Sequence, residues 1–366
     1  MLQPLRANSL PALQTQIVDL GDRSYPIVVG DGLLTGGFNL AEHVSGSDCL
    51  IVSNETVAPI YLQALTDILS GKTVNTVLLP DGEAHKTIDS SMLVIDELVK
   101  AGANRDTTVI ALGGGVVGDI AGFAAASYMR GVSIIQVPTT LLAQVDSSVG
   151  GKTGVNHPGG KNLIGAFHQP KLVLIDTDTL ATLPQRELAA GLAEAIKHGA
   201  IADAEYFEWI ENNATALLAK DSDAMAHLVI RSCQIKAAVV AEDERERGAR
   251  ALLNFGHTFA HAIENNLGYG EWLHGEAVAA GMVMAAELSE LGAAEQGRLA
   301  ALLDAVGLPT RPPAIDSEKW RSAMSLDKKV AAKRLRFILL ESIGKAYIAE
   351  DVPDSLLTQV LARGNA

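Results

Sequence analysis

TTVIALGGGVVGDIAGFAAASY, residues 107–128, is the stretch whose reading decides the fold. A β-branched apolar run, 107–112, breaks at Gly113-Gly114-Gly115 and gives way to small residues. That pattern is strand, glycine turn, helix. A second strand, VSIIQV (132–137), stops at Pro138 and Thr139-Thr140. A loop is expected next, in which glycine and lysine alternate with acid and amide: Asp146, Gly150-Gly151-Lys152, Asn156 and Gly159-Gly160-Lys161-Asn162. Glycine lets backbone approach an anion closely, helix N-termini aim N–H groups at it, and lysine supplies compact charge. The segment therefore reads as the meeting place of a phosphorylated cofactor and an anionic substrate.

Outward from it, QTQIVDLG (14–21) and YPIVVG (25–30) read as two strands of a hairpin-like start. CLIVSNETV (49–57) is a buried strand running into a helix from about Thr56, and TVNTVLLP (73–80) is a strand ending in Asp81-Gly82-Glu83-Ala84-His85-Lys86. SSMLVIDELVKAGAN (90–104) is a helix closed by Gly102. Strand alternating with helix predicts a doubly wound, mainly parallel, Rossmann-like sheet, with ligands beyond the carboxyl ends of its strands. From Gln185 to about Leu308 the pattern is almost all helical, which places a domain boundary near Pro184. An α/β domain, 1–184, would precede a mainly helical one, 185–366, interrupted by a hairpin in RLRFILLESIGKAYIAE (334–350) that turns at Ser342-Ile343-Gly344.

Composition limits the function. A chain of 366 residues, 48% hydrophobic, can bury a large core, and a formal charge of −14 argues against a nucleic-acid binder. Any anion site must be local. Cys49 and Cys233 stand far apart with no metal or disulfide spacing, which favours a reducing, cytoplasmic setting. MLQPLRANSLPALQ (1–14) lacks the apolar core of a signal peptide, and no apolar run is expected to reach membrane-spanning length.

Gly113-x-Gly115-x-x-Gly118 has dinucleotide spacing in the required strand-to-helix context, but the acid expected about twenty residues on is absent. Glu83 with Lys86 is the candidate ribose partner; the alternative is that the glycines only permit close packing of helix on strand. Glu194, His257 and His274 form a donor set suited to a catalytic divalent ion. Lys197, three residues after Glu194, shares its helical face, and Asn254, His257 and His261 make another such face. His257 and His261 are not a metalloprotease pair, since Thr258 stands where the glutamate is needed. EDERERGAR (242–250) reads as a solvated helix face from which only Arg250, and more weakly Glu246, are singled out. Phe207, Trp209 and Leu217 read as core, and His157, His168, His198 and His227 as structural or surface residues.

Six stretches carry a resemblance: PDGEAHK (80–86), GGGVVGDIAGFAAASYMRG (113–131), QVPTTLLAQVDSSVGGKTGVNHPGGKNLIGAFHQP (136–170), GLAEAIKHG (191–199), RALLNFGHTFAHAIE (250–264) and HGEAVAAGM (274–282). In this order they resemble the 3-dehydroquinate synthase family, sugar phosphate cyclases of the shikimate pathway, over essentially the whole chain. The resemblance implies NAD held by Asp81, Gly82, Glu83, Ala84, His85 and Lys86, by Gly115, Val116, Val117, Gly118 and Asp119, and by Thr139 and Thr140. Lys152, Lys161 and the segment Thr179, Leu180, Ala181 and Thr182 would add contacts. It implies a divalent metal, usually zinc and in some cases cobalt, on Glu194, His257 and His274. Substrate would meet Asp146, Lys152, Asn162, Lys197, Lys236, Arg250, Asn254, His261 and Lys345, with Arg130 reaching the phosphate, in a homodimer from the neighbouring subunit.

The implied reaction is a carbon–oxygen lyase reaction: 3-deoxy-D-arabino-heptulosonate 7-phosphate to 3-dehydroquinate and phosphate. Transient oxidation by NAD, elimination, re-reduction, ring opening and an intramolecular aldol would follow one another in one pocket. His261 and Asn254 would relay protons and Asp146 would orient a neighbouring group. Three alternatives remain at this level: a related valiolone- or inosose-type cyclase, an NAD- and metal-dependent polyol dehydrogenase, and a non-catalytic nucleotide-binding module. The polyol enzyme would not need the lysine-rich GGK and GGKN set.

Overall fold

The computed structural model describes residues 13–246, 248–268, 270–326 and 336–363. Nearly all of MLQPLRANSLPALQ, and the first two residues of the 334–350 segment, lie outside them.

The α/β half contains β1 (Gln14–Val18), β2 (Tyr25–Gly30), β3 (Asp48–Asn54), α1 (Ala58–Asp67), β4 (Thr73–Leu79), α2 (Ile88–Lys100), β5 (Thr108–Gly113), α3 (Gly115–Ser127), β6 (Ser133–Pro138), β7 (Lys152–His157), β8 (Gly160–Phe167) and β9 (Leu172–Asp176). β3 and β5 are apolar without alternation because they are covered on both faces. α1 begins at Ala58 rather than Thr56, since Asn54 Oδ1 accepts the Val57 N–H at 2.8 Å and holds the chain in a turn first. Thr87 caps α2 by accepting the Ser90 N–H.

Seven strands form one sheet in the order β1-β2-β9-β6-β5-β3-β4, with only β1 antiparallel. The chain leaves β3 toward β4 on one side and β5 toward β6 on the other. A crevice therefore opens between the carboxyl ends of β3 and β5, at Asn54 and the glycine turn. α1 packs one face through Leu65, against Ile51, Ile110 and Leu112. α2 and α3 pack the other, Val94, Leu98, Ile120 and Ala124 meeting Leu50, Val52 and Val109.

The segment expected as a loop is an antiparallel hairpin, β7 against β8, and Asp146 lies before it on a wide helical turn, Ala143–Ser147. Its strand pattern is masked by glycine at the crossing. A Cβ on Gly165 would lie 2.3 Å from Thr153 O and one on Gly154 2.6 Å from Ile164 O, so two strands meet there with no side chain between them.

The helical half contains α4 (Gln185–Ala202), α5 (Ala204–Leu218), α6 (Ser222–Glu242), α7 (His257–Leu267), α8 (His274–Leu288), α9 (Ala293–Ala305), α10 (Ser317–Leu326), the hairpin β10 (Phe337–Ser342) and β11 (Lys345–Ala349), and α11 (Asp354–Ala362). Contrary to expectation, α6 is long and apolar enough to cross a membrane by composition; in the fold its apolar side chains are core, packed with those of β1, β2 and α4. It ends at Glu242, so the described residues 243–246 lie in a turn, and Ala249 and Arg250 open the short turn Ala249–Asn254, not a helix face. Phe207 and Leu217 are fully buried and Trp209 packs beside them. One apolar cluster runs from Val29, Val173 and Ile175 of the sheet to Leu188, Leu192, Val240 and Ile263 of the helices, straight across Pro184.

α7 and α8 cross where a Cβ on Gly281 would lie 2.2 Å from Gly256 O, whereas one on Gly297, exposed within α9, would meet nothing. Gly281→Ala should cost about 1–3 kcal/mol by overpacking, and Gly297→Ala should gain up to about 1 kcal/mol of helix propensity. Thermal unfolding of the two variants should move in opposite directions.

Candidate active site

Glu194 projects from the middle of α4, where apolar neighbours leave it no exposed surface. A charge so placed must be paired. Lys197, one turn on and equally buried, forms an ion pair with its Oε2. Its Oε1 faces His257 Nε2 at 3.6 Å and His274 Nε2 at 3.4 Å, yet neither oxygen closes a hydrogen bond. His257 is the first residue of α7 and His274 the first of α8, so two helix starts deliver the imidazoles to one carboxylate. Donor atoms of the three residues lie within 4.8 Å of one another, with rings 5.3 Å apart.

The histidines are oriented for ligation. His257 Nδ1 donates to Phe255 O at 3.2 Å and His274 Nδ1 to Glu264 Oε1 at 3.1 Å, which turns each Nε2 inward toward Glu194. Burial lowers His257 to about 3 and keeps it neutral. Burial would lower His274 too, but the carboxylates of Glu194 and Glu264 beside it raise it to about 10. Burial pushes Glu194 up, and the Lys197 ammonium outweighs this and holds it well below the usual carboxylate range. A buried carboxylate without hydrogen bonds, flanked by two inward imidazole nitrogens, fits a divalent cation.

A second charged group adjoins the first. Lys236 of α6 donates to Asp146 O at 2.6 Å and forms an ion pair with Asp146 Oδ1 at 2.6 Å, and His198 Nε2 stands 3.6 Å from the same carboxylate. Burial raises Asp146, but Lys236 and Lys197 hold it well below its ordinary value, while burial keeps His198 neutral. His198, read as structural, thus stands against Asp146.

Lys152 pairs with Glu246, whose other oxygen accepts Asn254 Nδ2 at 2.7 Å. Asn254 does not share the α7 face. It ends the turn Ala249–Asn254, and left-handed Gly256 (φ 79°) separates that turn from α7, where His257 and His261 do stand side by side. Arg250 is buried, its Nη2 donating to Gly150 O at 3.1 Å, so its guanidinium braces the turn ahead of Lys152.

At the sheet crevice, Lys86 forms an ion pair with Asp119 and donates to Asn162 Oδ1 at 2.7 Å. Burial raises Asp119 above the ordinary carboxylate range despite that ammonium. Asn162, expected beside the substrate, stands with Lys86 and Asp119, which are expected to hold the cofactor. Glu83 accepts Asn156 Nδ2 at 2.8 Å, and Asp81 accepts Asn54 Nδ2 at 2.7 Å and Thr56 Oγ1 at 2.8 Å. Ala84 and His85 follow on the short turn Glu83–His85, after Gly82. Gly115, Val116 and Val117 open α3, whose start has no side-chain cap, and so offers N–H groups to an anion. A Cβ on Gly118 would lie 2.8 Å from Gln136 Oε1, so this glycine also serves packing. Thr139 donates its N–H to Gly113 O at 3.0 Å and Thr140 caps the following turn. Thr179, Leu180, Ala181 and Thr182 lie on the turn after β9, where Tyr61 touches Thr182 Oγ1 at 2.6 Å.

The two groups touch through consecutive residues. Lys161 Nζ lies 3.1 Å from Glu264 Oε1, the carboxylate behind His274, while Asn162 bonds Lys86. Glu264 escaped the sequence reading, although His257, His261 and Glu264 form an i, i+4, i+7 stripe. Arg130 is exposed, in left-handed backbone (φ 69°) past the far end of α3, and Lys345 is exposed and paired with Glu341 at 2.8 Å. The structure does not bring these two into the cluster.

Residues 76–190 match the model of the 3-dehydroquinate synthase N-terminal family and residues 191–330 that of its C-terminal family. This chain belongs to the 3-dehydroquinate synthase family. It is 57% identical over 353 residues to the 3-dehydroquinate synthase of Halorhodospira halophila, covering 95% of this chain and 99% of the relative. Two solved cyclases share the fold closely. A 2-deoxy-scyllo-inosose synthase complexed with carbaglucose-6-phosphate, NAD+ and Co2+ has a TM-score of 0.87 at 26% identity, over 95% of this chain and 99% of that one. A 2-epi-5-epi-valiolone synthase from Streptomyces hygroscopicus with NAD+ and Zn2+ has a TM-score of 0.85 at 31% identity, over 99% and 98%.

If Glu264 fixes His274, Glu264→Gln should weaken Co2+ binding roughly 10- to 100-fold, as loss of a ligand's supporting carboxylate does. Titration of the metal-free protein reads it; an unchanged affinity would show that His274 stands without that support.

Proposed function

We propose that the cleft between the sheet crevice and the helical half converts 3-deoxy-D-arabino-heptulosonate 7-phosphate to 3-dehydroquinate and phosphate, as the family resemblance implies. The observation that carries this reading is the contact of the hairpin with both sides. Lys161 meets the carboxylate behind His274 while Asn162 meets Lys86 at the glycine turn, so a nicotinamide site and an ion site would open on one space. A redox cofactor and a Lewis acid side by side suit a carbinol that must be oxidised and later restored.

Bound NAD would supply reversible oxidation with no net redox change, and a divalent ion on Glu194, His257 and His274 would polarise hydroxyl oxygens. The remaining work belongs to side chains. Lys152, Lys197 and Lys236, each now paired with a carboxylate, and Arg250 beneath the Gly150 turn would supply the cations for a substrate bearing phosphate and carboxylate in an acidic protein. The uncapped start of α3 would take the dinucleotide pyrophosphate, and Asp81, Glu83, Lys86, Asp119, Thr139, Thr140 and the turn Thr177–Thr182 would hold its remainder.

Asp146, fixed by Lys236, would orient the substrate from below, and His261 beside His257 would carry protons, with Asn254 placing Glu246 against Lys152. Arg130, exposed on its own chain, would serve the phosphate of a partner in a homodimer, and Lys345 would swing in from the β10–β11 turn. Cys49 and Cys233 are buried free thiols, which suits a cytoplasmic setting.

The test is release of inorganic phosphate from the heptulosonate phosphate. It should require NAD, stop with a chelator, return with Zn2+ or Co2+, and leave no NADH behind. Stoichiometric NADH would mark a polyol dehydrogenase, and turnover only of sugar phosphates lacking the carboxylate would mark a different cyclase.

A further inference from the structure

The ion-site reading leaves one question: what sets the distance between Glu194 on α4 and His274 on α8. The two helices pack against each other, and in that contact a Cβ on Gly275 would lie 2.0 Å from Ala190 O. On one side of this close contact lie Glu194 and His274. On the other, Arg186 of α4 grips Glu276 of α8, Nε to Oε1 at 2.6 Å and Nη2 to Oε2 at 2.7 Å. Arg186 and Glu194 are eight residues apart, about 12 Å along the helix.

The fork has further anchors. Glu276 Oε2 accepts the Leu273 N–H at 2.7 Å, which fixes the residue preceding His274. Arg186 Nη2 also donates to Glu271 O at 2.9 Å. A cavity of about 450 Å³ opens beside the fork, lined by Trp272, Asp304, Leu308 and Pro309.

We propose that Arg186 and Glu276 are positioning residues that fix the angle of α8 on α4, and through it the placing of His274 against Glu194. This rests on the ion-site reading. The Arg186 side chain is 54% exposed, so the pair should contribute little to global stability. Its planar, bidentate geometry is what would set the angle, and lysine cannot reproduce it.

The experiment titrates metal-free, full-length protein with Co2+, following visible absorption and thermal unfolding for wild type, Arg186→Gln, Arg186→Lys and the Arg186→Gln/Glu276→Gln double variant. The glutamine variant should bind Co2+ roughly tenfold more weakly, the scale of outer-shell partners, with displaced absorption bands and a nearly unchanged unfolding midpoint. The lysine variant should fall between it and wild type, and the double variant should be little worse than Arg186→Gln. A wild-type affinity and spectrum in Arg186→Gln would overturn the proposal, as would weakening that merely follows a lowered midpoint. A wild type that takes up no Co2+ would overturn the ion site itself and the fork with it.

Discussion

A negative charge with no exposed surface is the constraint from which this site is built. Glu194 sits inside α4 among apolar neighbours, and an unpaired carboxylate there would be far too costly to keep ionised. Lys197 answers one oxygen and two imidazoles face the other. Each answer creates its own demand. Burying Lys197 brings its ammonium within the field of Asp146, which in turn is held by Lys236. The chain of opposite charges runs from the helical half to the turn before the hairpin, and much of the cleft is explained as its consequence.

The sheet was legible because its physics is local. Runs such as DCLIVSN and TVIALG have one reading once the glycine turn and small-residue helix follow. Glu194 and Lys197 were legible for a similar reason, since three residues on a helix share a face. The hairpin was not, because its crossing strands carry glycine where a strand signal needs branched side chains. Asn254 was misplaced on the α7 face because helical spacing says nothing of Gly256, whose left-handed backbone breaks the helix first. Arg250, which the family resemblance assigns to the substrate, is buried and turns part of its guanidinium onto a carbonyl. Glu264 needed knowledge of which histidine would lie ten residues away in sequence and one hydrogen bond away in space.

The hairpin matters because it belongs to neither half. β7 and β8 pair with each other and not with the main sheet, and lie on α3. Their tip reaches from the sheet crevice to the residues behind His274. Lys161 and Asn162, adjacent in sequence, face opposite groups, aided by the left-handed backbone of Asn162 (φ 53°). Whatever repositions this tip must disturb both groups together.

The shared apolar cluster has a consequence for anyone who would take the molecule apart. The family models divide the chain between residues 190 and 191, inside α4, and side chains on both sides of that line fill the same interior. Scissors placed there would halve the helix that carries Glu194 and strip the cover from one side of β2 and β9. The apolar clusters around α1 and around α2 and α3 would stay with the first fragment, but the interior shared with the helices would be cut through.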